Sequence, residues 1–255
     1  MAGAARRPDG AALEGVAVAT AGGLLGAVSW SLVGLGWPGA VVGAVNGAIS
    51  GVRRIYAWRD PRGVGAFLLD STWAFPLTAA ALAAHAVALT QPERGGFVAP
   101  LSGRANRHVY VRGLRLRRGF LMTIGNTVNG VGEQVRTSTR RQRLVTDHED
   151  VHVWQGRWFG PLYPLLYGGW MVAGGVAGAL VWALRRRGEP FTQVVETCAY
   201  YLNPFEWWAY SRDGHWPPTN KLTGLGWRTP CVRPLSETSR RRARPVPPVP
   251  PAVPG

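Results

Sequence analysis

His148-Glu149-Asp150-Val151-His152 carries an HExxH pattern inside a segment with helical periodicity. On a helix, side chains four positions apart point the same way, so His148 and His152 can bind one metal ion together. Glu149 between them can act as the base that activates water at a bound Zn²⁺. The pattern therefore predicts the zinc site of a hydrolase, with two histidine ligands and a catalytic glutamate.

The residues around this motif predict a helix from about residue 140 to residue 159. Its apolar and site-forming residues share one face, namely Leu144, His148, Val151, His152, Gln155 and Phe159. Gly160-Pro161 then ends the helix. Asp150 places a charge between Glu149 and the second histidine, where zinc peptidases usually have none. The alternative is a solvated helix that binds no metal.

A catalytic zinc ion takes three protein ligands, so a third ligand is needed further along the chain. Glu206 is the first choice, on a short helix that Asn203 would cap and Pro204 would begin. Tyr210, one turn further on, or His215 would assist catalysis. Three residues are alternatives to Glu206 as the ligand, with Glu196 ahead of His215 and Asp213.

The charge of the chain favours a membrane surface as its partner. It contains 29 arginine and lysine residues against 14 acidic ones, for a formal charge of +15, and Lys221 is the only lysine. Such a charge suits anionic lipids or nucleic acid. No nucleic-acid motif accompanies it, so we expect anionic lipids and no nucleic acid. The two cysteines, Cys198 and Cys231, form no disulfide framework.

Residues 1–62 predict a membrane hairpin of two helices. Residues 13–37 are long and apolar enough to span a bilayer. After a break, glycine recurs at every fourth position, which gives a helix a flat ridge of small residues that another helix can approach closely. The ridge consists of Gly39, Gly43, Gly47 and Gly51. Arginines at both ends of the hairpin predict that both ends are cytoplasmic. The ridge could also join copies of the chain in a homo-oligomer.

Residues 63–90 predict a further membrane helix. Asp70 is interpreted as the cap of a helix that begins at Ser71 and lies at the interface. His85, near the far end of the same apolar run, is interpreted as an interfacial residue rather than a ligand.

Residues 91–235 form the region that carries the HExxH motif. Alternating polar and apolar residues over 108–120 predict a short basic β-hairpin, and 122–132 a loop. The apolar run 161–184 is predicted to be a hairpin, because a single crossing would place His152 and Glu206 on opposite sides of the membrane. Residues 236–255 are rich in arginine and proline and predict a disordered tail.

Several of these motifs together resemble bacterial membrane proteins with a zincin-like HExxH signature. The resemblance covers roughly residues 65–213. Its motifs are His148-Glu149-x-x-His152-Val153-Trp154-Gln155, Phe159-Gly160-Pro161-Leu162-Tyr163, Asn203-Pro204-Phe205-Glu206-x-x-Ala209-Tyr210, Asp70-Ser71-Thr72-Trp73 and Thr123-Ile124-Gly125-Asn126-Thr127. It implies a membrane-embedded, gluzincin-like metallopeptidase fold, with no established substrate.

These observations predict a mainly α-helical, multi-pass protein of a bacterial cell membrane. It would combine the glycine-zipper hairpin with a zincin-like α+β region. The expected function is a membrane-bound, Zn²⁺-dependent metallopeptidase or related hydrolase that acts on a peptide or protein. One alternative is a non-catalytic glycine-zipper scaffold with a structural or degenerate metal site. Another is a basic binder of lipid surfaces or nucleic acid.

Overall fold

The computed structural model describes residues 10–115, 120–185 and 190–212. The chain divides into two units, of which the first contains Met1–Gly169 with Trp207–Trp216 and the second contains Trp170–Glu206 with Pro217–Gly255. The predicted tail at 236–255 and two alternative ligands, Asp213 and His215, lie outside the described residues.

The described residues are mainly helical. The helices are α1 (Gly10–Ser31), α2 (Gly36–Val52), α3 (Pro61–Ser71), α4 (Phe75–Leu89), α5 (Ala99–Ser102), α6 (Thr139–Arg143), α7 (Asp150–Phe159), α8 (Leu162–Arg185), α9 (Phe191–Glu196) and α10 (Pro204–Arg212). Two π-helical segments (Leu144–Glu149 and Thr197–Tyr201) and two 3₁₀ turns (Pro92–Gly95 and Glu133–Arg136) interrupt or join them. The strands are β1 (His108–Val109), β2 (Met122–Ile124) and β3 (Thr127–Asn129).

Helices α1 and α2 pack as an antiparallel pair in the region where the sequence predicts the hairpin. Their backbones touch at glycines, because a Cβ on Gly43 would overlap the carbonyl oxygen of Gly22, and one on Gly39 that of Gly26. The same holds for Gly47 against Val18 of α1. Small residues bring the two axes close enough for backbone contact, and any larger side chain would separate them.

Two described helices are long and apolar enough to cross a membrane, α1 and the Leu162–Leu184 part of α8. The pair α3–α4 meets the same criterion only as a broken span or a re-entrant loop, because it bends by 88°. A single helix over 63–90 is therefore wrong. The break lies at Thr72, Trp73 and Ala74, where the carbonyl oxygen of Thr72 accepts a hydrogen bond from Trp30 Nε1 at 2.7 Å.

Asp70 lies in the last turn of α3 and does not cap a helix that begins at Ser71, so that prediction is wrong. Its side chain is 2 % exposed and forms two hydrogen bonds with Arg157 of α7, at 2.8 and 2.9 Å. Burial opposes the charge of Arg157, but the carboxylate of Asp70 raises the pKa of the guanidinium above its ordinary value. The ion pair fixes α7 to the bend between α3 and α4.

Further buried polar groups extend this network. The hydroxyl of Tyr56 donates to Asp70 Oδ2 at 3.0 Å, and Asn126 Nδ2 donates to Asn46 Oδ1 at 2.9 Å. His85 is buried, and its Nδ1 lies 2.6 Å from the hydroxyl of Tyr110, so this side chain is in contact with protein. Asn46 of α2 is buried, and its side chain is satisfied within the protein, because it donates to Tyr56 and accepts from Ser50 and Asn126.

The three strands form one small sheet in the order β1-β3-β2. Strand β1 is parallel to β3, and β2 is antiparallel to β3. The observed hairpin is therefore β2–β3, within the stretch predicted to be a loop, so the predicted loop is wrong. The start of the predicted hairpin over 108–120 pairs with β3 instead, and its residues 116–119 lie outside the described residues. Gly125 makes the turn with a φ of 52°, and a Cβ there would overlap the carbonyl oxygen of Leu77 in α4. The amino-acid composition of residues 108–120 could not reveal this contact between Gly125 and Leu77, which are far apart in the sequence.

Helix α8 is one continuous helix, so the predicted apolar hairpin over 161–184 is wrong. In the second unit the chain returns through α9 and the π-helical segment that follows it, antiparallel to α8. Gly178 approaches Val195, and Gly174 approaches Ala199, at distances that would exclude a Cβ on either glycine. Paired glycines in apolar sequence thus serve close packing here and do not bend the helix.

Candidate metal centre

The HExxH motif lies on a continuous helical rod formed by α6, a π-helical segment and α7, from Thr139 to Phe159. This confirms the predicted helix and its end at Gly160. Ser138 caps the start by accepting a hydrogen bond from the backbone N–H of Arg141. The π-helical segment, Leu144–Glu149, contains the first half of the motif, and such widened turns often mark functional sites.

His148 and His152 face each other on this rod, and both are buried, at 3 % and 8 % exposure. Their Nε2 atoms lie 3.2 Å apart. Two nitrogens bound to one tetrahedral zinc ion at about 2.05 Å would be separated by about 3.3 Å. The observed separation therefore fits two ligands of one ion.

Glu206 completes a group of three possible ligands with these histidines. One ligand atom of each residue lies within 4.8 Å of those of the other two, and Glu206 is 2 % exposed. Among the described residues no other group of three such side chains meets this criterion, and the alternative ligand Glu196 is not part of this one. The structure thus brings together the three residues that the sequence predicts as ligands.

Helix α10 presents Glu206 because its first turn is capped and its next turn packs on α7. Asn203 Oδ1 accepts a hydrogen bond from the backbone N–H of Phe205 at 3.0 Å. Trp208 stacks on Trp158 with ring centroids 5.2 Å apart. Tyr210, one turn after Glu206 and on the same face, has its ring centre 4.4 Å from that of His148.

Two further side chains orient His152. Gln155 Oε1 lies 2.8 Å from His152 Nδ1, and the hydroxyl of Tyr163 lies 3.3 Å from both atoms. A hydrogen bond at Nδ1 leaves Nε2 as the metal-binding atom, which is the usual arrangement of a histidine ligand. Gln155 was among the site-face residues in the sequence, whereas Tyr163 was missed as a site residue. Its only signal in the sequence was its place in the motif Phe159-Gly160-Pro161-Leu162-Tyr163.

Glu149 is held by the sheet. Thr123 of β2 donates a hydrogen bond from its hydroxyl to Glu149 Oε2 at 2.6 Å. The sheet itself packs against the rod through buried valines, among them Val128, Val145 and Val153. Sequence reasoning missed the role of Thr123, because nothing local links residue 123 to residue 149.

Asp150 does not disturb the imidazoles, because it pairs with Arg107, whose side chain is 8 % exposed. The two residues form a salt bridge on a different side of the rod from the histidines. The charge inside the HExxH motif is therefore neutralised by a partner that the motif alone does not reveal.

Comparison with known proteins adds no family to this description. The chain matches no protein family, no curated protein and no solved structure. Its function is therefore inferred from the chemistry of the site alone.

Proposed function

We propose that this chain is a membrane-bound, zinc-dependent hydrolase and that a peptide or protein is its substrate. The observation that supports this most is the buried group of His148, His152 and Glu206, with Glu149 beside it. Two imidazoles and one carboxylate are a ligand set that zinc hydrolases use, and they leave a coordination position for a reactant. A bound Zn²⁺ would supply Lewis-acid polarisation of a carbonyl group and acidification of water.

Residues of the chain perform the remaining steps. Thr123 holds Glu149 Oε2, which leaves Oε1 to take the proton from the attacking water. Glu149 then delivers that proton to the leaving nitrogen as the amide bond breaks. Gln155 and Tyr163 keep His152 in the tautomer that binds metal through Nε2. Tyr210, packed on His148, is the residue we assign to stabilising the negative charge on the carbonyl oxygen.

The two long apolar helices support a membrane location. We propose a multi-pass arrangement in a bacterial cell membrane, in contact with anionic lipids. A homo-oligomer through the glycine-zipper helices stays a prediction. The ridge glycines of α2 already contact α1 of the same chain, so an oligomer would use other faces.

A second candidate function is a non-catalytic membrane scaffold with a structural metal site. The charged residue Asp150 inside the HExxH motif favours it, because zinc peptidases usually have no charge at that position. The two candidates differ in whether the metal-loaded protein cleaves anything.

Metal removal tests the proposal. We expect the purified full-length protein in neutral detergent to cleave a quenched fluorescent casein, to lose this activity with a zinc chelator, and to regain it when Zn²⁺ is returned. The physical reason is that Glu149 alone is too weak a catalyst to hydrolyse an amide at a useful rate. Cleavage that persists in the chelator would contradict the hydrolase proposal, and zinc-loaded protein without any cleavage would favour the scaffold.

A further inference from the structure

A cavity of about 330 Å³ lies beside the HExxH rod, on a face that does not include His148, His152 or Glu206. Three indole side chains line it, Trp154 and Trp158 from α7 and Trp208 from α10. Arg62 of α3 and Arg212 of α10 lie at the same cavity. Its volume is at the lower end of the range for small-molecule sites. The proposed hydrolysis makes no use of this cavity.

The charges around the cavity leave it electropositive. Its two carboxylates already have cationic partners, because Asp147 pairs with Arg143 at 3.2 Å and Asp150 pairs with Arg107. Arg62 and Arg212 have no acidic side chain within salt-bridge distance in the part of the chain that the structure describes. Two guanidinium groups without a counter-ion favour a ligand that carries a phosphate group.

The indoles favour a position of the cavity at a membrane surface. Trp158 is half exposed, stacks on Trp208 and precedes by four residues the start of α8, which is long enough to span a bilayer. Tryptophan favours the boundary between lipid and water. The first turn of α8 exposes Leu162, Leu165 and Leu166, which offer an apolar surface to acyl chains.

We propose that this cavity binds the headgroup of an anionic phospholipid. The guanidinium groups of Arg62 and Arg212 hold the phosphate, and the indoles of Trp158 and Trp208 cover the glycerol backbone. Basic pockets at the membrane surface recognise anionic headgroups in this way. The proposal goes beyond the hydrolase function and does not depend on bound metal.

Calorimetric titration of the full-length protein in neutral detergent tests it. The probes are dihexanoyl phosphatidylglycerol, dihexanoyl phosphatidylcholine and inorganic phosphate. We expect saturable binding of phosphatidylglycerol, and weaker binding by roughly thirtyfold when Arg62→Gln and Arg212→Gln are combined. Arg140→Gln, which removes one exposed arginine of α6 away from the cavity, is the matched control and should bind as the wild type does.

Each other outcome overturns the proposal. Equal affinity for phosphatidylcholine would show that the headgroup charge is not recognised. Equal affinity for inorganic phosphate would make the cavity an ion site and not a lipid site. An equal loss in Arg140→Gln would show that only the overall charge matters. Replacing Trp158 with Ala provides a second check, because it should weaken phosphatidylglycerol binding and leave the weaker phosphate binding unchanged.

Discussion

Glu149→Gln is expected to abolish hydrolysis while the protein keeps its metal. The amide is as large as the carboxylate and can still accept the hydrogen bond from the hydroxyl of Thr123, so the fold of the site persists. It cannot take a proton from water, and the loss of general-base catalysis lowers the rate roughly 10²- to 10⁴-fold. The measurement is the initial rate of casein cleavage by zinc-loaded protein, with zinc content determined on the same sample.

Glu133→Gln is the matched control for this variant. Glu133 is exposed and pairs with Arg136 in a 3₁₀ turn away from the histidines, so its loss should change neither rate nor zinc content. Unchanged cleavage by Glu149→Gln would remove Glu149 as the base. Loss of zinc together with activity would instead give Glu149 a part in forming the metal site.

Asp70→Ala is expected to have the largest effect on stability. The substitution leaves the guanidinium of Arg157 buried at 1 % exposure without its carboxylate partner. Removing one member of a buried ion pair costs about 3–5 kcal/mol, since the remaining charge has lost its hydration and its counter-charge. The measurement is the free energy of unfolding from a denaturant titration in detergent micelles. Because Arg157 is on the same helix as His152, zinc affinity should fall as well.

Two comparison variants make this prediction specific. Glu133→Ala removes a half-exposed carboxylate and its surface ion pairs with Arg136 and Arg112, and should cost less than about 1 kcal/mol. Combining Asp70→Leu with Arg157→Met removes both charges and should recover part of the stability. A loss in Asp70→Ala no greater than that in Glu133→Ala would show that the Asp70–Arg157 pair does not fix α7 to the α3–α4 bend.

The parts of the site that sequence patterns revealed are those encoded locally. The spacing of His148 and His152 on one helix face, and the cap of Asn203 ahead of Glu206, are both readable over a few residues. The same holds for the glycine ridge of α2, whose spacing predicts the close approach of another helix, which is α1.

The parts that sequence patterns missed depend on contacts between distant segments. Asp70 has the sequence context of a helix cap, and only the approach of Arg157, 87 positions away, turns it into a buried ion pair. Thr123 becomes a site residue because the sheet places it beside Glu149. Arg107 becomes one because a salt bridge holds it beside Asp150. Propensity and periodicity contain no information on such pairs.

The error at α8 has a related cause. A helical hairpin was predicted over 161–184 so that His152 and Glu206 could share a metal. The structure meets that requirement differently, because the return path of α9 follows α8 closely at Gly174 and Gly178. The prediction that the chain returns after its apolar run holds, but the return lies in α9 and not within residues 161–184.

Zinc content, measured by elemental analysis of purified protein, tests whether His148, His152 and Glu206 form a metal centre. Wild type should hold about one zinc ion per chain. His148→Ala and Glu206→Ala should each lose it, whereas Glu196→Ala should retain it, because Glu196 is not in the cluster of described ligands. Wild-type protein without zinc after zinc supplementation, or Glu206→Ala with full zinc content, would contradict a metal centre built from His148, His152 and Glu206.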